Sequence, residues 1–257
     1  MTKIVQGFDM QKFLPLTLAV SAIALTPACA QQEVNTSDRA AIENVVREYI
    51  LENPEIIEEA LIALQAKRNA AEMETAREAI ANNADALFNT ASDYSVGPAD
   101  APVTVVEFFD YRCGFCKRSA EWAVNLPEQY DGQVRVVFKE LPILSAESEK
   151  AALAALAAGK QDKYMEMHMA LMELDNGSGF GPDAIDGAAK EAGVDVVKMR
   201  ADMNSMEVQR QLADMKSLAR TLDINGTPNF IVGTSQVPGA DTNAVQALID
   251  AELAALD

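Results

Sequence analysis

The sequence predicts an α/β domain with a long helical stretch between its strands, preceded by a helical extension. Three observations predict it. Residues 103–109 (VTVVEFF) and 134–141 (VRVVFKEL) are short runs rich in β-branched and aromatic residues and read as buried strands. A helix over about 113–128 lies between them, and strand, helix, strand in that order makes a parallel pair. A helical stretch over about 146–222 follows, and strand character returns only at residues 227–233. Residues 234–239 are the expected hairpin partner, and Val245, Leu248, Ile249, Leu253 and Leu256 stripe a terminal helix. Inside the helical stretch, Asn204 with Glu207 three residues on is the expected N-cap of a helix with the apolar face Leu212, Met215, Leu218 and Leu222.

Residues 37–89 read as helix throughout, broken once. Ile42, Val45, Val46, Tyr49 and Ile50 share one face; Asn53-Pro54 is the expected N-cap and first position of a second helix, striped by Ile57, Leu61 and Leu64. Beyond Gln65 the stripe thins to Met73, Ile80, Leu87 and Phe88 among many charges. Such a helix needs a partner, either the main domain or another copy of itself. Residues 31–92 are therefore an expected helical extension and candidate oligomerisation segment, and 93–257 the main domain, with the boundary near Gly97 and Pro98.

Residues 1–30 are a different kind of sequence. Lys12 precedes an apolar stretch over 13–25, and Ala28-Cys29-Ala30 supplies a small-x-small cleavage pattern, so a signal peptide cleaved after Ala30 is expected, with export to the periplasm. The stretch is shorter than the ~20 apolar residues of a spanning helix and is interrupted by Thr17, Ser21 and Pro27. Met10 is an alternative start. A lipoprotein reading through Cys29 is the weaker one, because the usual leading Leu is missing.

Composition narrows the function. The 257 residues are 49% hydrophobic and 23% charged, which is ordinary for a globular chain, and the formal net charge of −18 with no basic patch argues against a nucleic-acid partner. Cleavage after Ala30 would leave two of the three cysteines, Cys113 and Cys116, which excludes a disulfide-stapled scaffold. A Cys-x-x-Cys pair at a helix start is suited to redox work. Cysteine reacts as thiolate, and a helix N-terminus lowers its pKa. Cys113 is then the nucleophile and Cys116 the resolving partner. A zinc clamp would need four ligands, and the one histidine, His168, has no second cysteine pair to join. No metal and no cofactor are expected. Gly114 and Phe115, between the cysteines, are neutral, so they tune the centre to a milder oxidant than a pair enclosing a histidine.

The runs VVEFFDYRCGFCKR (105–118), FKELPIL (138–144) and GTPNFIVG (226–233) resemble the DsbA-like disulfide oxidoreductases over about residues 95–257. The resemblance implies a thioredoxin fold with a helical domain inserted between its central strands. It also implies that Thr227 and Pro228 form the Thr–cis-Pro pair that faces the active disulfide and holds the client, and that Glu107 matches the family's buried acid, able to take the Cys116 proton. The implied partners are exported cysteine-containing clients and a membrane redox protein, either a quinone-linked oxidase or an electron donor. Residues 42–65 are similar to the N-terminal extension of the ScsC-like (suppressor of copper sensitivity) members, which implies oligomerisation and an isomerase direction. Oxidase and isomerase both stay open.

The alternative function is copper binding through the cysteine pair and the methionines. Met165, Met169 and Met172, beside Met167 and His168, and Met199, Met203 and Met206 recur at helical spacing. Methionines on one helix face are far more often core filler. His168 is expected to be a satisfied packing residue and Trp122 a core residue.

Overall fold

The computed structural model describes residues 36–177 and 179–256. The expected signal peptide, its cleavage site at Ala30, the alternative start at Met10 and Cys29 lie outside the described residues. The elements in order are α1 (Thr36–Glu52), α2 (Glu55–Asn82), α3 (Ala84–Phe88), β1 (Tyr94–Val96), β2 (Val103–Phe109), α4 (Gly114–Gln129) and β3 (Val134–Glu140). The insertion follows as α5 (Ala146–Gly159), α6 (Tyr164–Glu173), α7 (Pro182–Glu191), α8 (Val196–Asp202) and α9 (Met206–Thr221). The chain closes with β4 (Asn229–Val232), β5 (Ser235–Pro238) and α10 (Thr242–Ala254). No helix among the described residues is long and apolar enough to cross a membrane.

The chain divides into two units, Met1–Ala60 and Leu61–Asp257. In the first, Ile42, Val45, Val46 and Tyr49 of α1 are each at least half exposed, and Ile57 of α2 is nearly so. Asn53 is not the N-cap expected for α2. Its side-chain amide donates to the Tyr49 carbonyl at 2.9 Å, so it closes α1 instead. Asn204 departs from expectation in the same way: its amide donates to the Arg200 carbonyl at 2.9 Å, while Ser205 caps α9 by accepting from the Val208 N–H. In both places an amide donor next to a helix end found the preceding carbonyls before the following N–H groups.

The second unit is built on a five-stranded sheet in the order β1-β3-β2-β4-β5. The expected parallel pairing of β2 with β3 holds, with Glu107 opposite Phe138 and Phe109 opposite Glu140; β4 runs antiparallel to β2 and forms a hairpin with β5. Both faces of the sheet are covered, which is why β2 and β3 read as continuous apolar runs instead of alternating ones. One face carries Val105, Phe109, Val136, Phe138 and Phe230 against the main core; the other carries Val106, Phe108, Val137 and Ile231 against Ile80, Leu87, Leu218 and Leu222.

The boundary expected at residues 92–93 falls inside this unit. Ile80 and Leu87 are buried in the second cluster, and β1 is an antiparallel edge strand paired with β3 through Tyr94, Ser95 and Val96. Asp93 adds a buried ion pair with Lys139, whose ammonium also donates to the Ala86 carbonyl at 2.7 Å. A buried cation has to be matched, and this one is matched from both sides of the expected boundary, by the Ala86 carbonyl before it and the Asp93 carboxylate just after it.

Tyr94 also stacks on Tyr164 of α6, with ring centroids 4.0 Å apart, over Gly159 at the end of α5. A Cβ on Gly159 would lie 2.0 Å from the Tyr94 hydroxyl oxygen and 2.1 Å from its Cζ. The ring cannot swing clear without unstacking. Gly159→Ala is therefore expected to destabilise the protein by about 1–3 kcal/mol, the range of overpacked cores, read as a lower urea midpoint.

Candidate active site

Strand β2 ends at Phe109, and the next residue fixes everything after it. Asp110 is buried. Its Oδ1 accepts the Arg112 N–H at 2.8 Å, and its Oδ2 accepts the Ile143 and Leu144 N–H groups at 2.9 and 3.0 Å. The Cys113 N–H donates to the Asp110 carbonyl at 3.0 Å, closing a turn that delivers Cys113 to the N-cap of α4 with φ −75° and ψ 114°. Nothing acidic stands in the first turn of α4 to offset its N-terminal partial charge.

Cys113 and Cys116 are free thiols in this structure; Cys113 is 7% exposed and Cys116 fully buried. Their environments pull them apart. Hydrogen bonding from the Cys116 side chain lowers the Cys113 pKa to about 5, against the opposing effect of burial; the Cys116 N–H, the Thr227 side chain and the Phe115 N–H add to the lowering. The Thr227 carbonyl, 3.1 Å from Sγ of Cys113, accepts the S–H of the neutral thiol and works the other way, but it is one acceptor against several donors. Burial raises the pKa of Cys116, reinforced by its bond to Cys113 and by the nearby Glu107.

Glu107 lies on the α4 face of β2 and is fully buried, with no hydrogen-bond partner for either carboxylate oxygen. Burial, then repulsion from Cys113, raises its pKa to about 8. Thr227–Pro228 is a cis peptide bond at the start of β4, and its carbonyl contact brings it to Cys113. All of Cys113, Cys116, Glu107 and Thr227 thus meet at one point. Gly114 and Phe115 stay at the surface, Phe115 being 58% exposed beneath the Arg118 guanidinium at 4.3 Å from its ring centroid.

Two residues of the site escaped the sequence reading. Asp110 is one. Lys117 is the other: its ammonium donates to the Met172 and Leu174 carbonyls at 2.8 and 2.6 Å and lies 5.0 Å from the Phe180 ring, clamping the end of α6 to the active-site helix. The usable signal for Lys117 was a cation directly after the second cysteine; for Asp110 the one local contact is with the Arg112 N–H two residues on, and its other two donors lie 33 and 34 residues away.

The remaining candidates scatter. Met167, Met172, Met199 and Met203 are buried in the core, Met165 and Met169 are half-buried, and Met206 is exposed. No group of three or more His, Cys, Asp or Glu among the described residues is placed to hold a metal. Trp122 is half-buried, edge-on to Phe230 at 5.7 Å, and not the full core residue expected. His168 is buried but only half satisfied, with Nδ1 3.2 Å from the Tyr111 hydroxyl and no partner at Nε2. An open groove of about 730 Å³ between α2, Leu222 and β5 includes none of the expected site residues.

A thioredoxin family model matches residues 89–251, and a model of the copper resistance protein ScsC N-terminal domain matches residues 38–71. A probable disulfide bond formation protein D of Bacillus cereus is 29% identical, with 65% of this chain and 82% of that protein aligned. A crystal structure of Proteus mirabilis ScsC in a transitional conformation is 32% identical over 86% of this chain and 99% of that one, with TM-score 0.61. A thioredoxin-like oxidoreductase from Silicibacter pomeroyi is 39% identical over 65% of this chain and 95% of that one, with TM-score 0.60. The fold, the sulfur pair at the start of α4 and these relatives agree: the chain belongs to the thioredoxin family and is a DsbA-like, ScsC-like thiol–disulfide oxidoreductase.

Proposed function

We propose that this enzyme exchanges disulfides with exported cysteine-containing proteins in the periplasm, through the Cys-Gly-Phe-Cys centre at Cys113 and Cys116. The observation that carries this reading is the placement of Cys113 at the N-cap of α4, 3.1 Å from the Thr227 carbonyl that precedes the cis Pro228, with Cys116 fully buried beneath it. The Cys113 thiolate attacks one sulfur of a client disulfide, forming a mixed disulfide and expelling the other client sulfur as thiolate. Cys116 then loses its proton to the Glu107 carboxylate and attacks Sγ of Cys113, releasing the client dithiol and leaving a Cys113–Cys116 disulfide. An oxidase runs these steps in reverse, and an isomerase lets a client thiolate resolve the mixed disulfide instead. Thr227 and Pro228 hold the client strand beside Cys113, and Gly114 and Phe115 tune the potential. A membrane partner, a quinone-linked oxidase or an electron donor, resets the pair.

The copper-binding alternative is weaker, because four of its methionines are committed to the core. The exposed stripe of Ile42, Val45, Val46, Tyr49, Ile57 and Leu61 supports homo-oligomerisation through residues 37–92. The two directions separate on one pair of measurements. A strongly oxidising glutathione equilibrium with a monomeric mass marks an oxidase, and an intermediate one with an oligomeric mass marks an isomerase. Val45→Glu with Tyr49→Glu is expected to return such an oligomer to monomer mass in light scattering.

The thiolate sets the pH dependence. A thiol whose pKa falls from about 9 to about 5 on folding stabilises the reduced protein fully above pH 9, and loses that stabilisation as pH falls to 5. Thiolate absorbance of the reduced enzyme should therefore show a midpoint near 5 that is absent in Cys113→Ser. A midpoint near 9 would remove the helix-start activation. Glu107 has the opposite sign: its raised pKa favours the fold below about 4.5 and penalises it as pH rises to 8. Replacing this unpaired acid with Leu is expected to raise unfolding stability at pH 8 by about 1–3 kcal/mol while slowing release of client from the mixed disulfide. A Glu107→Leu enzyme that releases client at the parent rate would exclude Glu107 from the proton transfer.

A further inference from the structure

A second buried polar cluster stands on the same sheet face as Glu107, and the exchange steps above make no use of it. Glu140, the last residue of β3, is fully buried opposite Phe109. Its Oε1 accepts the Tyr111 hydroxyl at 2.9 Å and the Tyr164 hydroxyl at 3.0 Å. The Tyr111 oxygen also lies 3.2 Å from Nδ1 of His168. Since Tyr111 gives its proton to Glu140, this last contact is attractive only with the proton on Nδ1, and the donors then run His168 to Tyr111 to Glu140, met by Tyr164. Tyr164 and His168 belong to α6 in the insertion; Tyr111 belongs to the turn that ends, two residues on, at Cys113.

We propose that Glu140 is a positioning residue for the exchange reaction: by accepting the Tyr111 hydroxyl it anchors the Cys113 turn to the end of β3 and so helps to set how reactive Cys113 is, while the Tyr164 hydroxyl on the same oxygen braces the insertion without holding the turn. This rests on Cys113 being the nucleophile. The turn has two anchors. Asp110 ties it through backbone N–H groups to the loop after β3, and Tyr111, with its ring edge-on to Phe109 at 5.2 Å, ties it to Glu140 and His168. The donors that hold the Cys113 thiolate are directional, the Phe115 and Cys116 N–H groups and the Thr227 side chain, so a small shift of the turn weakens several together.

Glu140 does this as a neutral acceptor. Burial raises its pKa well above the ordinary range, the neighbouring charge that acts on it is the negative Asp110, and Oε2 has no hydrogen-bond partner. Lys139, next in sequence, points through the other sheet face to Asp93.

Three variants of the full chain test this, each measured for the thiolate midpoint, the glutathione equilibrium and urea unfolding. Tyr111→Phe keeps the ring and removes the hydroxyl. It is expected to raise the Cys113 midpoint by about half to one unit and to shift the equilibrium toward the disulfide by about three- to tenfold, the span of one hydrogen bond. Tyr164→Phe removes a like bond from the insertion side and leaves Tyr111 held. It should lower stability comparably while the midpoint stays near that of the parent. Glu140→Gln keeps a carbonyl oxygen for both hydroxyls and should hold the parent midpoint and equilibrium to within about twofold.

If Tyr111→Phe folds and titrates like the parent, or if Tyr164→Phe moves the midpoint as far as Tyr111→Phe does, the role is structural and the proposal falls. A lowered midpoint in Glu140→Gln would also overturn it, by making Glu140 a charge instead of a hub. A parent whose thiolate transition survives Cys113→Ser would sink the nucleophile assignment itself, which is a separate failure.

Discussion

The Asp110 carboxylate is the interaction on which the site depends. A strand that ends beside a helix must turn within a few residues, and the turn exposes N–H groups that the ladder no longer satisfies. Here one buried side chain accepts three of them, from Arg112, Ile143 and Leu144, so the segment before Cys113 and the segment after β3 are held by the same two oxygens. Cys113 reaches the helix N-terminus because that pairing leaves it nowhere else to go. Arg112 extends the tie to Ser145 at 2.9 Å, and Asn176 returns from the insertion to the Arg112 carbonyl at 2.8 Å.

Around this turn the protein separates donors from acidic groups. The N–H groups and the Cys116 thiol converge on Sγ of Cys113, while Glu107 and Glu140 sit deeper on the sheet without a cation facing them among the described hydrogen-bond and ion pairs. The nearby cations are engaged elsewhere. Lys117 is bound to the carbonyl end of α6, Lys139 to Asp93, and Arg118 to the Phe115 ring. Two carboxyls are thereby left with raised pKa values within one layer of a thiol whose pKa is depressed.

Much of the fold was legible because it is written in local patterns. Two β-branched runs flanking a helix start, the cysteine spacing, and the stripe Leu212, Met215, Leu218 each depend on neighbours within a turn or a strand. What escaped depends on distance or on three-dimensional surroundings. The three-residue strand β1 is hidden by Gly97 and Pro98, and it exists because β3 offers it an edge. The orientation of Glu107 was unreadable since β2 is buried on both faces and shows no alternation to point with. Asp110 and Lys117 reach backbone groups 33 to 57 residues further along the chain, contacts that the local pattern around the cysteines does not specify. His168 was placed correctly inside the molecule but too simply, because burial says nothing about whether a ring nitrogen finds a partner, and Trp122 lies only half inside.

The two residues between the sulfurs are the least constrained part of the site. An added Cβ on Gly114 would meet only a guanidinium nitrogen of Arg118 at 3.7 Å, and Phe115 projects from the surface. Anchors, core and proton-holding groups all lie on the other side of Cys113. The dipeptide can therefore diverge among descendants of this chain one substitution at a time while the scaffold beneath stays under separate selection. In such an architecture the rim of the sulfur pair is an evolvable surface, and a change there needs no change of fold.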